Sequence, residues 1–220
     1  SASAKLFTQN VHTRQANVVN YASPKFQNMQ VKVAYGMNEP ADNTVVKTPV
    51  YGGSLEYNDG IFSAGLAFET KESANCTVAA CTAATINGNT NARKAILGWK
   101  ASDALSFSAV LASLDNGLSG ASAVSTNPYV VSGTYKNGDY TYRLAYGNSP
   151  ESNSGRADAF SMYALEVMYS LDKNTAVYGY YSAITNDNAG KAKFEAGENT
   201  YATTAGNDPR ALGLGIQYKF

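Results

Sequence analysis

Apolar residues recur at every second position in run after run of this chain, a period that fits strands and no helix. The last run, ALGLGIQYKF from Ala211 to Phe220, shows it plainly. Leu212, Leu214, Ile216, Tyr218 and Phe220 share one face, while Gly213, Gly215, Gln217 and Lys219 share the other. One such strand also suits a soluble antiparallel sheet with a single solvated face, so the number of repetitions decides. Met29, Val31, Val33 and Tyr35 alternate with Gln30, Lys32, Ala34 and Gly36; Phe62, Ala64, Leu66 and Phe68 with Ser63, Gly65, Ala67 and Glu69; Tyr140, Tyr142, Leu144 and Tyr146 with Thr141, Arg143, Ala145 and Gly147. Each run has about ten residues, the length a tilted strand needs to cross a bilayer.

Composition narrows the choice. Charged residues make up 15% of the 220, against roughly 25% in ordinary soluble domains. The chain carries 16 Tyr, a residue whose ring is buried and whose hydroxyl stays wet at a membrane interface. No run approaches the roughly 18 uncharged apolar residues of a membrane helix. A membrane crossing must then be made by strands, because a closed barrel is the other structure that pairs every backbone group in lipid. With zero formal net charge and no basic block, nucleic acid is not an expected partner.

The turns add a rhythm. Tight polar connections rich in Asn, Asp, Ser and Gly fall at 23–28, 58–60, 102–104, 137–139 and 172–174. Between them come long segments at 38–48, 71–90, 115–126, 148–158 and 186–208. Short and long alternate throughout, as in an outer-membrane barrel with short periplasmic turns and long external loops. The spacing predicts an all-β, antiparallel transmembrane barrel with eleven visible strands: 16–22, 29–37, 49–58, 61–70, 91–101, 105–114, 127–136, 139–147, 159–171, 175–185 and 210–220. Bacterial single-chain barrels have even strand numbers, so an odd count implies further strands before residue 16, or a twelfth strand within residues 1–14.

If Tyr and Leu mark the lipid side, the opposite parity marks a lumen. Its charged residues are Arg14, Lys32, Glu56, Glu69, Lys94, Lys100, Lys136, Arg143, Glu166 and Lys219. The basic excess predicts a weak anion preference, since low-dielectric walls focus the field of a charged ring. The bland alternative, strongest for Lys32, Lys136 and Lys219, is a charge at a strand end in water. Arg14 and Arg143 are the stronger candidates, because guanidinium is weakly hydrated and always charged. Tyr21, Tyr35, Tyr57, Trp99, Tyr135, Tyr140, Tyr146, Tyr169 and Tyr218 fall near strand ends, where interfacial girdles or subunit contacts would place them. Strand 175–185 carries Tyr178 and Tyr180 against Tyr181, so its parity is open.

Cys76 and Cys81 lie together in one long segment, and a loop disulfide is preferred over two free thiols. Their spacing is not CxxC and no His is near, which argues against a metal site. Asn186, Asp187, Asn188 and Glu195 offer hard oxygen ligands without EF-hand spacing, and an exposed polar loop explains them more simply. No cofactor motif is present. His12, the only histidine, has no Ser or Asp placed beside it on a strand, so no enzyme is predicted. The opening SASAKLFTQN lacks the basic and apolar parts of a signal peptide, so either the signal was removed or the true beginning is absent.

Two segments carry a family resemblance. RQANVVNYASPKFQNMQVKVAYG, Arg14 to Gly36, resembles the strand-turn-strand segment R-x-x-N-S-[IV]-x-Y-x-S-P-x-F-x-G-[FL] of the general trimeric porins of Gram-negative bacteria, in the 16-stranded group. ALGLGIQYKF is similar to that family's G-[LV]-R-[HY]-x-F ending. The first match departs at Val18 and Val19, where Ser and Ile are frequent, and at Asn28, where Gly is usual.

The resemblance implies a water-filled outer-membrane channel for passive diffusion of small hydrophilic solutes and ions. It places residues 15–220 as strands six to sixteen and residues 1–14 as a remnant of the constriction-loop region. It also implies a homotrimer among outer-membrane lipids and lipopolysaccharide, with Phe220 part of the signal read by the barrel-assembly machinery. The competing reading is a barrel-anchored adhesin or receptor whose long external loops bind a partner.

Overall fold

The computed structural model describes residues 3–4, 17–37, 49–72, 89–115, 124–153, 155–196, 199–200 and 204–219. Eleven long strands follow one another as an antiparallel meander. They are β1 (Val18–Ala22), β2 (Met29–Gly36), β3 (Val50–Asn58), β4 (Phe62–Lys71), β5 (Thr90–Lys100), β6 (Leu105–Asp115), β7 (Tyr129–Asn137), β8 (Tyr140–Ser149), β9 (Phe160–Ser170), β10 (Thr175–Asn186) and β11 (Arg210–Tyr218). Each pairs with its chain neighbours, and the sheet ends on β1 at one edge and β11 at the other. Most strands have nine to twelve residues, enough to cross a hydrocarbon core when tilted. A two-residue strand, Ser125–Thr126, pairs at the end of β6. Phe194–Ala196 pairs with Ser3–Ala4 and Asn199–Thr200 as a small separate sheet.

The five tight turns lie at one end of this sheet, and their polar residues close them by satisfying backbone donors. Asp59 Oδ1 accepts from the Ile61 and Phe62 N–H groups at 2.9 and 2.6 Å. Asp172 Oδ1 accepts from Asn174 and Thr175 at 2.7 and 2.8 Å, and Ser102 Oγ from Ala104 and Leu105 at 3.2 and 3.1 Å. Asn28 sits at φ 65°, a left-handed conformation that Asn tolerates, which explains how it serves at a position where the resembling family has Gly.

Continuous register carries the alternation across all eleven strands. Along one face run Tyr35 and Tyr51, Leu55 and Leu66, Trp99 and Phe107, Leu144 and Leu165, and Tyr181 and Leu212 as direct partners. The register settles β10: Tyr181 belongs to this apolar face, while Tyr178 and Tyr180 belong to the other with Met168 and Glu166. The apolar face is open, with Leu214 87%, Leu212 78% and Leu66 63% exposed. Among the described residues only seven apolar side chains are buried, Ala92, Ala112, Leu114, Pro128, Met162, Ile184 and Phe194. A water-soluble chain of this size would bury far more, so these side chains need a solvent other than water.

Aromatic rings ring that face in two belts. Near the tight turns, Trp99 stacks between Phe62 and Phe107, with centroids 6.4 and 5.8 Å away, and Tyr140 lies 4.8 Å from Tyr169 and 6.1 Å from Tyr142. Towards the long connections, Tyr146 lies 6.1 Å from Tyr129 and 5.1 Å from Tyr163. Both belts are on the apolar face, where interfacial aromatics belong.

Candidate pore wall

Lys32, Glu56, Glu69, Lys94, Lys100, Lys136, Arg143 and Glu166 all fall on the second face, opposite the Leu and Tyr rows. Lys219 follows β11 on the same parity, its N–H bonded to Asn174 O at 2.9 Å. Arg14, Cys76, Cys81, His12 and Phe220 lie outside the described residues. Two open hollows, of about 630 and 820 Å3, follow this charged face. The cross-strand row Lys32, Ser54, Ala67, Lys94 and Ala112 crosses this face from β2 to β6. Small residues dominate that stretch, so the lysines stand above a low wall.

The acids on this face are set beside bases. Lys32 Nζ bonds both carboxylate oxygens of Glu56, at 2.9 and 2.7 Å, and Ser54 Oγ donates to the same carboxylate at 3.1 Å. Arg143 pairs with Glu166 directly across β8 and β9. Glu69 and Lys94 are diagonal neighbours across β4 and β5, since Ala67 faces Lys94 and Glu69 faces Ala92. Lys100 Nζ reaches Asp103 at 2.6 Å in the β5–β6 turn and holds its carboxyl below the usual carboxylate range. Arg143 is therefore a paired charge rather than an isolated guanidinium. The strands still carry six bases on this face, with Lys71 included, against three acids.

Lys71 lies one residue beyond the 61–70 range that the spacing predicts; it faces Val50 and shares the parity of Glu69. Tyr178 and Tyr180 were missed as wall residues because both parities of β10 carry tyrosine. Their rings lie over Gly215 and Gly213 of β11, where a Cβ on either glycine would run into the ring. Two arginines sit on the apolar face instead: Arg93, between Phe68 and Ser113, and Arg210, opposite Ala183, both near the long connections.

The connection after β10 turns back onto the charged face. Asn186 is 8% exposed, its Nδ2 donating to Ala192 O and Asn207 O at 3.0 and 2.6 Å while its Oδ1 accepts from the Ala192 N–H at 2.8 Å. Both N–H donors of that amide and one lone pair of its oxygen are committed to the backbone. Among the described residues no cluster of metal-ligating side chains occurs.

Solved structures with this architecture are similar over nearly the whole chain. An anion-selective porin from Comamonas acidovorans matches with a TM-score of 0.77 at 18% identity, covering 94% of this chain and 60% of that one. OmpT, an outer membrane protein of Vibrio cholerae, matches with a TM-score of 0.60 at 16% identity over 91% of this chain and 64% of its own; its trimer form gives 0.59. The chain thus spans about three fifths of the structures it matches. At these identities the likeness is one of fold. No curated protein matches the chain in sequence. The family model of the Gram-negative porins matches residues 2–189. The chain belongs to the Gram-negative porin family.

Proposed function

We propose that this chain builds most of the wall of a water-filled channel that passes small hydrophilic solutes and ions by passive diffusion, with a weak preference for anions. As a Gram-negative porin it is a multi-pass protein of the outer membrane. The observation that carries the reading is the unbroken register, which keeps every wall charge on one face and the apolar rows on the other. A lipid-facing surface and a wetted surface are thereby separated by a single layer of backbone. The basic excess on the wetted side supports the anion preference.

In the same reading β1 to β11 are strands six to sixteen of a sixteen-stranded barrel, and residues 1–14 belong to the constriction-loop region. The complete protein assembles as a trimer, the form in which the Vibrio cholerae protein has also been solved. Arg93 and Arg210, on the lipid side at the level of the long loops, suit the phosphates of lipopolysaccharide. Phe220 serves the barrel-assembly machinery, and Cys76 and Cys81 form a loop disulfide. Purified protein added to a planar bilayer should give stepwise conductance and, in a salt gradient, a reversal potential of anion-preferring sign. A preparation that inserts without conducting would make the barrel an anchor for its loops instead.

A further inference from the structure

The connection after β10 is external, yet its first part does not stand clear of the wall. Phe194 is 9% exposed and is buried with Met162 and Ile184, with Val130 and Ala192 packed beside them. Val130, Gly147, Met162 and Ile184 form one cross-strand row from β7 to β10, on the parity of Arg143 and Glu166. The segment is held there by backbone as well: Asp187 and Ala189 N–H groups bond Ala159 O and Ala157 O at 2.9 Å, and Gly206 N–H bonds Gly190 O at 2.9 Å. Gly190 runs so close beneath Asn186 that a Cβ there would come within 2.9 Å of its Oδ1 and 3.0 Å of Ala159 O.

Given the channel reading above, on which this step rests, we infer that residues 187–194 are folded into the external mouth and that Lys193 is a selectivity residue of that mouth. Ala192 and Phe194 both face the wall. Lys193 lies between them, half-buried and outside any strand, on the segment that lies across the opening. An ammonium at a narrowed entrance concentrates anions within about a Debye length, roughly 8 Å at physiological salt, before they reach the wall charges. Lys193 would act by position, upstream of Lys94 and Arg143, and not by binding any one solute.

The test uses the full chain in planar bilayers. Lys193→Glu should move the reversal potential towards cations, and Phe194→Ala, which unseats the segment, should raise single-channel conductance by roughly 1.5-fold through a wider mouth. Lys193→Cys, treated after insertion with a negatively charged thiosulfonate, should lose anion preference in open channels, with treated wild type controlling for Cys76 and Cys81. This last measurement reads only channels that have already folded. Unchanged current and selectivity after modification of Lys193→Cys overturn the inference. Wild-type protein that inserts and does not conduct overturns the channel reading instead.

Discussion

Arg143 and Glu166 stand directly opposite one another in the register of β8 and β9, the guanidinium donating to the carboxylate. Their side chains are 46% and 29% exposed, so water screens the pair and it contributes at most about 1 kcal/mol to stability. Its effect on passing ions is larger, because Glu166 cancels a wall charge. Glu166→Gln should leave unfolding in urea nearly unchanged while raising the anion-to-cation permeability ratio, on the order of two-fold for one uncovered charge in a focusing pore. Arg143→Ala should shift the ratio the other way. Reversal potentials that stay fixed in both variants would remove this pair from the selectivity account.

Leu144 and Ala145 are consecutive residues on opposite faces of β8. Leu144→Lys places an ammonium against lipid near mid-strand and should destabilise the protein by about 2–4 kcal/mol. Ala145→Lys places the same group in the wetted interior and should cost far less. Reversible unfolding in phospholipid vesicles compares the two, and equal costs would contradict the assignment of faces.

Tyr180 lies over Gly213, and the glycine is what lets it lie flat. Gly213→Val should cost about 1–3 kcal/mol by forcing the ring off the wall, the usual range for overpacking. Adding Tyr180→Ala should recover most of that loss, since the collision then has no partner. A double variant as unstable as the single one would mean that the glycine serves the backbone alone.

Asp59 and Asp172 sit in tight turns outside the membrane, and both carboxyls are held below their ordinary value near 3.8. For Asp59 the cause is first the Phe62 N–H and then Ile61; for Asp172 it is first the Asn174 N–H and then Thr175. A carboxylate with a lowered folded value contributes stability that is present above its unfolded value and lost as pH falls through the folded one. Stability should therefore decline below about pH 4. Asp59→Asn with Asp172→Asn keeps an acceptor for the turns and removes the titration, so acid unfolding followed by circular dichroism should show a shallower pH dependence. An identical acid limb would assign the pH sensitivity to other groups.

Most of the wall was legible from period and turns because both are local properties. The eleven strands differ from the spacing-based ranges by one to three residues at their ends, where hydrogen-bond ladders rather than side-chain type decide the limit. All the aromatic residues placed near strand ends belong to the apolar face, as Trp99 with Phe107 and Tyr140 with Tyr169 illustrate. What escaped depends on neighbours far along the chain. Nothing in LEVM reveals that Glu166 meets Arg143, because that pairing is a matter of inter-strand register. Nothing in KAKFEAG reveals that Phe194 returns to Met162 and Ile184. Tyr178 and Tyr180 could be assigned only once Gly213 and Gly215 were their partners.

Among the described residues, neighbouring long strands of this sheet are consecutive in chain order, and no long strand is bonded to a distant one. A hairpin can then be gained or lost without disturbing the pairing order of those that remain, while the enclosed diameter grows roughly in proportion to strand number. The circumference of such a wall is therefore a copy-number property of its hairpins, adjustable by duplication or deletion of short stretches of chain, whereas its chemistry is set separately at single positions.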